Sequence, residues 1–208
     1  MAISDQHLSV LETQFFKEKS GPFRDYLGKY SGRLLILGDG RTIWSDYEEY
    51  DKSSPFQTMA VKIIGAVWPD LDHWAHYHAE QFERDGKPGW LMEMRRVRAG
   101  RVKGARAPLR HVFHKTPRQN EWVMWPMSYG GNSAIFASLI AVALGYDEIT
   151  LAGCPADSQG HYYEPPWVRN TYSGFDNRSH EKSWRDCRDQ YFFGKVKSLS
   201  GNTKEWLS

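Results

Sequence analysis

The chain has 208 residues, 40% hydrophobic and 25% charged, with a formal net charge of +2. That length supports one full hydrophobic core, and the balance excludes disordered, collagen-like and coiled-coil classes. Two cysteines, Cys154 and Cys187, without CxxC spacing, argue against a disulfide framework or structural zinc, and both thiols are expected to be reduced.

The first segment, Asp5 to Lys19, places Leu8, Leu11, Phe15 and Phe16 at helical spacing before the break at Ser20-Gly21-Pro22. Its acidic residues and the lack of a continuous apolar run predict neither signal peptide nor membrane span, hence a cytoplasmic protein with no membrane partner. Arg33 to Leu37 is an uninterrupted apolar run closed by Gly38-Asp39-Gly40, the pattern of a strand buried on both faces. Thr42 to Tyr50 follows as a helix, Met59 to Ile64 as a second strand and Asp72 to His78 as a third. Ala79 to Asp85 and Trp90 to Arg98 have helical patterns, and Trp122 to Trp125 that of a strand. Asn132 to Gly145 is apolar almost all round, a deeply buried helix ended by its glycine. Glu148 to Gly153 is another buried strand, followed by a long polar loop to about Asn177, a helix from Ser179 to Phe193, and a last strand from Lys195 to Leu199.

This alternation predicts an α/β protein: a Rossmann-like, doubly wound, mostly parallel sheet with helices on both faces. One domain over 1–208 is expected, with an N-terminal helical extension over 1–30 and a basic loop region over 95–120. In such sheets ligands sit outside the carboxyl ends of the strands where strand order reverses, so the loops after Leu37 and Ala152 are the first places to look.

Charge is concentrated. Nine of the 27 basic residues, from Arg95 to Arg118, fall in a stretch with no acidic residue, leaving 18 basic against 25 acidic elsewhere, a net of −7 outside it. Arg95, Arg96, Arg98, Arg101, Lys103 and Arg106 therefore form a candidate surface for nucleotide phosphates or a nucleic acid, unless the stretch is a solvated loop. The 14% aromatic content is compatible with a carbohydrate or base platform, although ordinary packing also accounts for it.

Gly38-Asp39-Gly40 allows close approach of a ligand to bare backbone, with the next helix N-terminus offering N–H groups to a phosphate. Ile43 stands where the third glycine of a dinucleotide fingerprint would fall, and no Walker A sequence occurs. Gly131, Asn132 and Ser133 open the buried helix and form a second phosphate candidate. The loop from Cys154 to Tyr163 concentrates hydroxyls, the Asp157 carboxylate and the His161 imidazole after a central strand. His73, His76 and His78 suggest a metal site, but strand alternation puts His76 and His78 on one face and His73 on the other, so no metal is expected.

The sequence from Gly130-Gly131-Asn132-Ser133 to Ala143-Leu144-Gly145-Tyr146-Asp147-Glu148-Ile149-Thr150-Leu151-Ala152-Gly153 resembles a segment of bacterial α-2,3-sialyltransferases and related sialyltransferase-like proteins. Leu35 to Gly40 looks like their first strand and nucleotide-holding glycine turn. His180, within Ser179-His180-Glu181-Lys182-Ser183-Trp184-Arg185-Asp186, is similar to their short histidine stretch with the general base. His73-Trp74 through His78, and Ser198-Leu199-Ser200-Gly201-Asn202-Thr203, resemble phage-encoded members. The resemblance covers Arg33 to Leu207. It implies a Rossmann-like glycosyltransferase fold that needs no metal, with Tyr162 and Tyr163 binding the leaving phosphate. The chain departs from the pattern at Asp39 and Lys62, where the family has asparagines, and at Arg41-Thr42, where it often has Pro-Ser; lysine only donates hydrogen bonds and brings charge.

The expected function is transfer from a nucleotide-sugar donor, the nucleotide being a substrate rather than a cofactor, onto an acceptor of phage or nucleic-acid origin. Gly38, Asp39, Gly40, Lys62, Gly131, Asn132, Ser133, Asp157 and His161 would hold the nucleotide. His180 would act as base, a role a neutral histidine suits near pH 7, with Tyr162 and Tyr163 stabilising the departing phosphate. The alternative is a non-catalytic nucleotide or nucleic-acid binder.

Overall fold

The computed structural model describes residues 4–16, 21–77, 83–84, 87–88, 109–113, 122–127, 129–130, 132–167 and 177–208. Its strands are β1 (Arg33–Leu37), β2 (Phe56–Val61), β3 (His73–His76), β4 (Glu83–Arg84), β5 (Lys87–Pro88), β6 (Leu109–Phe113), β7 (Trp122–Trp125), β8 (Glu148–Ala152) and β9 (Val196–Ser198). Seven of them form one sheet in the order β7-β6-β3-β2-β1-β8-β9, every pairing parallel. β4 and β5 pair antiparallel in a separate hairpin. From β1 the chain winds outward to β7, then returns to place β8 on the other side of β1. The order thus reverses between β1 and β8, and their carboxyl ends open a crevice.

β1 lies at this centre because Leu34, Leu35, Ile36 and Leu37 can be buried on both faces, and all four are fully buried. On one face, Leu35, Leu37 and Ala60 pack with α2 (Ile43–Glu49), α3 (Ile64–Val67) and Trp74. On the other, Leu34, Ile36, Met59 and Ile149 pack against α4 (Ser133–Leu144), joined by α1 (Asp5–Phe15). Trp184 and Cys187 of α5 (Asn177–Gln190) and Trp206 of α6 (Gly201–Leu207) complete that layer.

Every residue of α4 except Ala134 is buried, and each buried Leu, Ile or Phe contributes about 1.5–3 kcal/mol relative to exposure. Asn132 caps the helix, its Oδ1 accepting from the Ala134 and Ile135 N–H groups at 2.8 and 3.2 Å. Gly145, at φ 106°, ends it: a Cβ there would come within 2.6 Å of the Tyr30 carbonyl oxygen. Since Gly145 lies three residues before β8, the C-terminus of α4 is at the amino edge of the sheet and Asn132 is at the carboxyl edge.

Several predicted elements change. The second strand ends at Val61, because Lys62 turns the chain at φ 52° into α3. Within the stretch read as helix from Ala79, Glu83 and Arg84 are extended and pair with Lys87–Pro88; cross-strand pairing overrides the helical spacing there. Trp90 to Arg98 lies outside the described residues. The region 95–120, read as a basic loop, contains β6. That strand escaped notice because it buries a histidine, His111, and because Arg110 is accommodated by its guanidinium lying 5.0 Å from the Trp74 ring centroid. Arg95, Arg96, Arg98, Arg101, Lys103 and Arg106 lie outside the described residues. α6 was not expected either, although Thr203 and Trp206 bury one face of it.

The histidines of β3 point to opposite faces, His73 towards Tyr30 and Tyr146 and His76 towards Trp74; His78 is outside the described residues. His73 belongs to a buried polar chain. The indole Nε1–H of Trp125 donates to His111 Nδ1 at 3.0 Å, and because an indole only donates, every later proton is set. His111 Nε2–H donates to His73 Nδ1 (3.0 Å), His73 Nε2–H to the Tyr146 hydroxyl (2.7 Å), and Tyr146 to Gln57 Oε1 (2.6 Å). Burial, then the neighbouring His73 and His76, holds His111 well below the ordinary histidine value, so it is neutral.

Candidate functional site at the carboxyl edge

Asp39 follows β1 into the crevice and is almost fully buried. Its Oδ1 lies 3.3 Å from His161 Nδ1 and 3.8 Å from the Lys62 ammonium. Burial alone would raise the carboxyl; Lys62, His161 and the residue's own backbone N–H outweigh it, holding Asp39 ionised below the usual carboxylate range. Lys62 sits at the carboxyl end of β2 in the left-handed conformation, which disfavours a side-chain-bearing residue by about 1–2 kcal/mol. Its carbonyl is fixed by the Trp74 indole N–H at 2.8 Å. Gly65 makes room for that indole: a Cβ there would be 2.0 Å from the ring.

The two glycines of the turn have a different task from the one their spacing suggests. Neither has a positive φ. Their N–H groups donate to the carbonyls of Ala152 and Gly153, both at 2.8 Å. A Cβ on Gly38 would lie 2.4 Å from Cys154 Sγ, and one on Gly40 2.4 Å from Pro155 Cδ. The glycines bring the β8 loop against β1, so a ligand at this turn meets Asp39 and its charged neighbours rather than those two N–H groups.

The loop after β8 folds back across this turn. Gly40 and His161 form an antiparallel bridge, and the Tyr162 N–H donates to the Asp39 carbonyl at 3.0 Å. Arg41 clasps the loop through the carbonyls of Gln159 (2.5 Å) and Pro165 (2.6 Å). The Tyr163 ring stacks on His161, centroids 5.3 Å apart, and Tyr162 meets the Trp44 ring edge-on at 5.9 Å. Asp157 is not brought to the cluster; its carboxylate closes a turn with the Gln159 N–H at 2.9 Å.

Beneath the loop lies a carboxylate that sequence reading overlooked. Asp46 Oδ2 accepts from the Gly153 N–H (2.8 Å), Thr42 Oγ1 (2.9 Å) and Ser200 Oγ (2.6 Å), joining α2 to the ends of β8 and β9. The motif from Ser198 to Thr203 continues this stitching. Thr203 donates to the Cys154 carbonyl at 2.7 Å, Asn202 to the Ala156 carbonyl at 3.0 Å, and a Cβ on Gly201 would strike Pro155. Arg41 and Thr42, the departures from the family turn, are thus structural ties here.

A second cluster forms where α5 crosses the start of α4. His180 is half-buried, and burial lowers it from the ordinary histidine value. Its Nδ1 faces Asn132 Nδ2 at 3.4 Å. Since Asn132 Oδ1 is committed to the helix cap, the amide nitrogen donates to Nδ1, which favours the neutral tautomer with its proton on Nε2. Ser133 is buried and Gly131 lies outside the described residues. Tyr129 donates to Asp186 at 2.9 Å, and burial together with that carboxylate raises its hydroxyl to about 12. The structure therefore joins Asp39, Lys62, His161, Tyr162 and Tyr163 around one turn and His180 with Asn132 in another group, both at the carboxyl edge.

The sequence matches no protein-family model and no curated protein. Among solved structures, the sialyltransferase CST-II, in complex with a trisaccharide acceptor and CMP, superposes with a TM-score of 0.50 at 13% identity over 82% of each chain. The fold is sialyltransferase-like. CstII from Campylobacter jejuni with cytidine-5'-monophosphate gives a TM-score of 0.45 at 11% identity, over 82% of this chain and 81% of that one. A mammalian sialyltransferase gives 0.45 at 10%, over 96% of this chain and 86% of that one. Among the described residues, no helix is long and apolar enough to cross a membrane.

Proposed function

We propose that this protein is a glycosyltransferase that takes its sugar from a nucleotide donor, of the cytidine monophosphate class, bound in the crevice between β1 and β8. The observation that carries this reading is the convergence of Asp39, Lys62, His161, Tyr162 and Tyr163 at the switch point of a sialyltransferase-like sheet. Lys62 supplies a cation for the donor phosphate while Asp39 holds it in place. The hydroxyls of Tyr162 and Tyr163 donate hydrogen bonds as negative charge develops on the leaving phosphate. In the transfer step the acceptor hydroxyl oxygen forms a bond to the anomeric carbon. The bond from that carbon to the phosphate oxygen breaks, and the acceptor proton passes to His180. In the tautomer that Asn132 favours the free lone pair is on Nδ1, so the acceptor hydroxyl takes the place of the Asn132 amide, now 3.4 Å away, as the proton is transferred.

The test is a thermal-shift screen of nucleoside monophosphates, diphosphates and nucleotide-sugars, followed by transfer assays on His180→Ala. Cytidine monophosphate should raise the melting temperature of wild type and variant alike, because a ligand of the folded state stabilises it. Transfer should vanish in the variant. A protein stabilised by none of these nucleotides, or a variant of undiminished activity, would overturn the corresponding part of the proposal.

A further inference from the structure

Trp44 is the second residue of α2, and it is 53% exposed while being firmly braced. Its ring stacks on Trp68, centroids 5.4 Å apart and planes within 17°. Tyr47 meets Trp68 edge-on at 4.9 Å and Tyr162 meets Trp44 edge-on at 5.9 Å. Three rings, Tyr47 of α2, Trp68 at the end of α3 and Tyr162 of the β8 loop, thus brace one flat indole with an open side. The patch is continuous with the charged cluster, since Tyr162 also holds the Asp39 carbonyl through its N–H.

The charge around the ring selects what covers it. Glu48, one helical turn from Trp44, and Glu49 after it are both exposed, as is Ser45. The Glu48 carboxylate on the same helix face disfavours a phosphate backbone, while Glu49, five residues on from Trp44, falls off that face. A neutral pyranose fits both features: the C–H bonds of one face make an apolar surface for the indole, and rim hydroxyls can donate to a carboxylate and a serine oxygen. Aromatic walls with a few polar groups at the edge are the usual composition of small-ligand sites.

We infer that Trp44, backed by Trp68 and Tyr162, is a stacking platform for a neutral sugar ring, the subsite that receives the acceptor saccharide. The inference rests on the glycosyl-transfer reading and gives the acceptor a chemical class that reading leaves open. The test uses the full-length chain with methyl β-galactoside, methyl β-glucoside and lactose, titrated under saturation-transfer NMR. Cytidine monophosphate is titrated in parallel, and wild type is compared with Trp44→Ala and Trp44→Phe. At least one saccharide should bind wild type with transfer strongest to its ring C–H protons. Binding should weaken about ten-fold or more in Trp44→Ala and largely survive in Trp44→Phe, with nucleotide affinity unchanged in both. Equal saccharide binding by Trp44→Ala, no binding of any of the three by wild type, or displacement of the sugar by a single-stranded DNA oligonucleotide would overturn the platform. Saccharide binding that depends on Trp44 in a protein that binds no nucleotide would uphold the platform and remove the donor reading alone.

Discussion

Replacing Asn132 by aspartate turns the amide that faces His180 Nδ1 from a donor into an acceptor while sparing the fold. Aspartate caps helices about as well as asparagine, and its charge at the α4 N-terminus adds about 0.3–1 kcal/mol of favourable dipole interaction. A carboxylate oxygen at the present 3.4 Å would attract a protonated imidazole. Coulomb's law at that separation gives about 1 kcal/mol in water and about 5 kcal/mol at an effective dielectric of 20. His180 is half-buried and solvent screens it, so the lower part of that range applies. At 1.36 kcal/mol per unit, the histidine should rise by roughly one to two pKa units. The sign follows from the partner: burial now lowers His180, and an adjacent anion favours its charged form. In the neutral form Nδ1 would carry the proton and Nε2 would become the acceptor, the reverse of the wild-type tautomer. NMR titration of protein with 15N-labelled imidazoles reads both effects, the midpoint from the pH curve and the tautomer from the two nitrogen shifts. An unchanged or lowered midpoint in a folded Asn132→Asp protein would refute the assignment of Asn132 as the residue that sets His180.

Lys62→Met should leave the Asp39 carboxylate buried without its ammonium partner, lowering stability at pH 7 by about 1–3 kcal/mol in chemical denaturation. Because the folded carboxyl is depressed below its unfolded value of about 3.9, its contribution is complete above that value and lost as pH falls through the folded one; in the variant, acid destabilisation should begin at higher pH. Burial, aided by Asp39, pushes the Cys154 thiol up to about 12, and burial likewise raises Cys187. Neither should react with iodoacetamide at pH 8 until denaturant is added, as mass spectrometry would show. Asp46→Ala removes the shared acceptor of three donors and should cost about 2–4 kcal/mol, read from the urea midpoint. His111→Leu strands the Trp125 indole and His73 and should cost a similar amount, about 2–4 kcal/mol. Wild-type stability held by the neutral His111 is complete above about pH 6.5, the unfolded value, and falls as pH drops towards the depressed folded value; that acid slope should flatten in His111→Leu.

The sequence by itself determined the parts of this protein that rest on local pattern. Leu34 to Leu37 is an apolar run too short for a helix and too continuous for a one-sided sheet, which reads as a central strand, and Glu148 to Ala152, with Ile149, Leu151 and Ala152, reads as another buried strand. Asn132 to Gly145 carried its own cap, apolar circumference and terminating glycine. Alternating strands and helices then allowed little besides a doubly wound sheet, with its crevice beyond Leu37 and Ala152. What only the tertiary structure decided depends on contacts between residues far apart in the chain. Gly38 and Gly40 read as backbone bared for a ligand, yet what they admit is Cys154 and Pro155, more than a hundred residues away. Asp46 looked like an ordinary helix carboxylate until Gly153 and Ser200 were placed against it. β6 stayed hidden because His111 is buried by hydrogen bonds to His73 and Trp125 rather than by an apolar side chain. The left-handed turn that aims Lys62 at Asp39 required Trp74 to hold its carbonyl and Gly65 to clear the way. Periodicity is a property of neighbours along the chain; charge pairing and close backbone approach belong to neighbours in space, and the site is made of these.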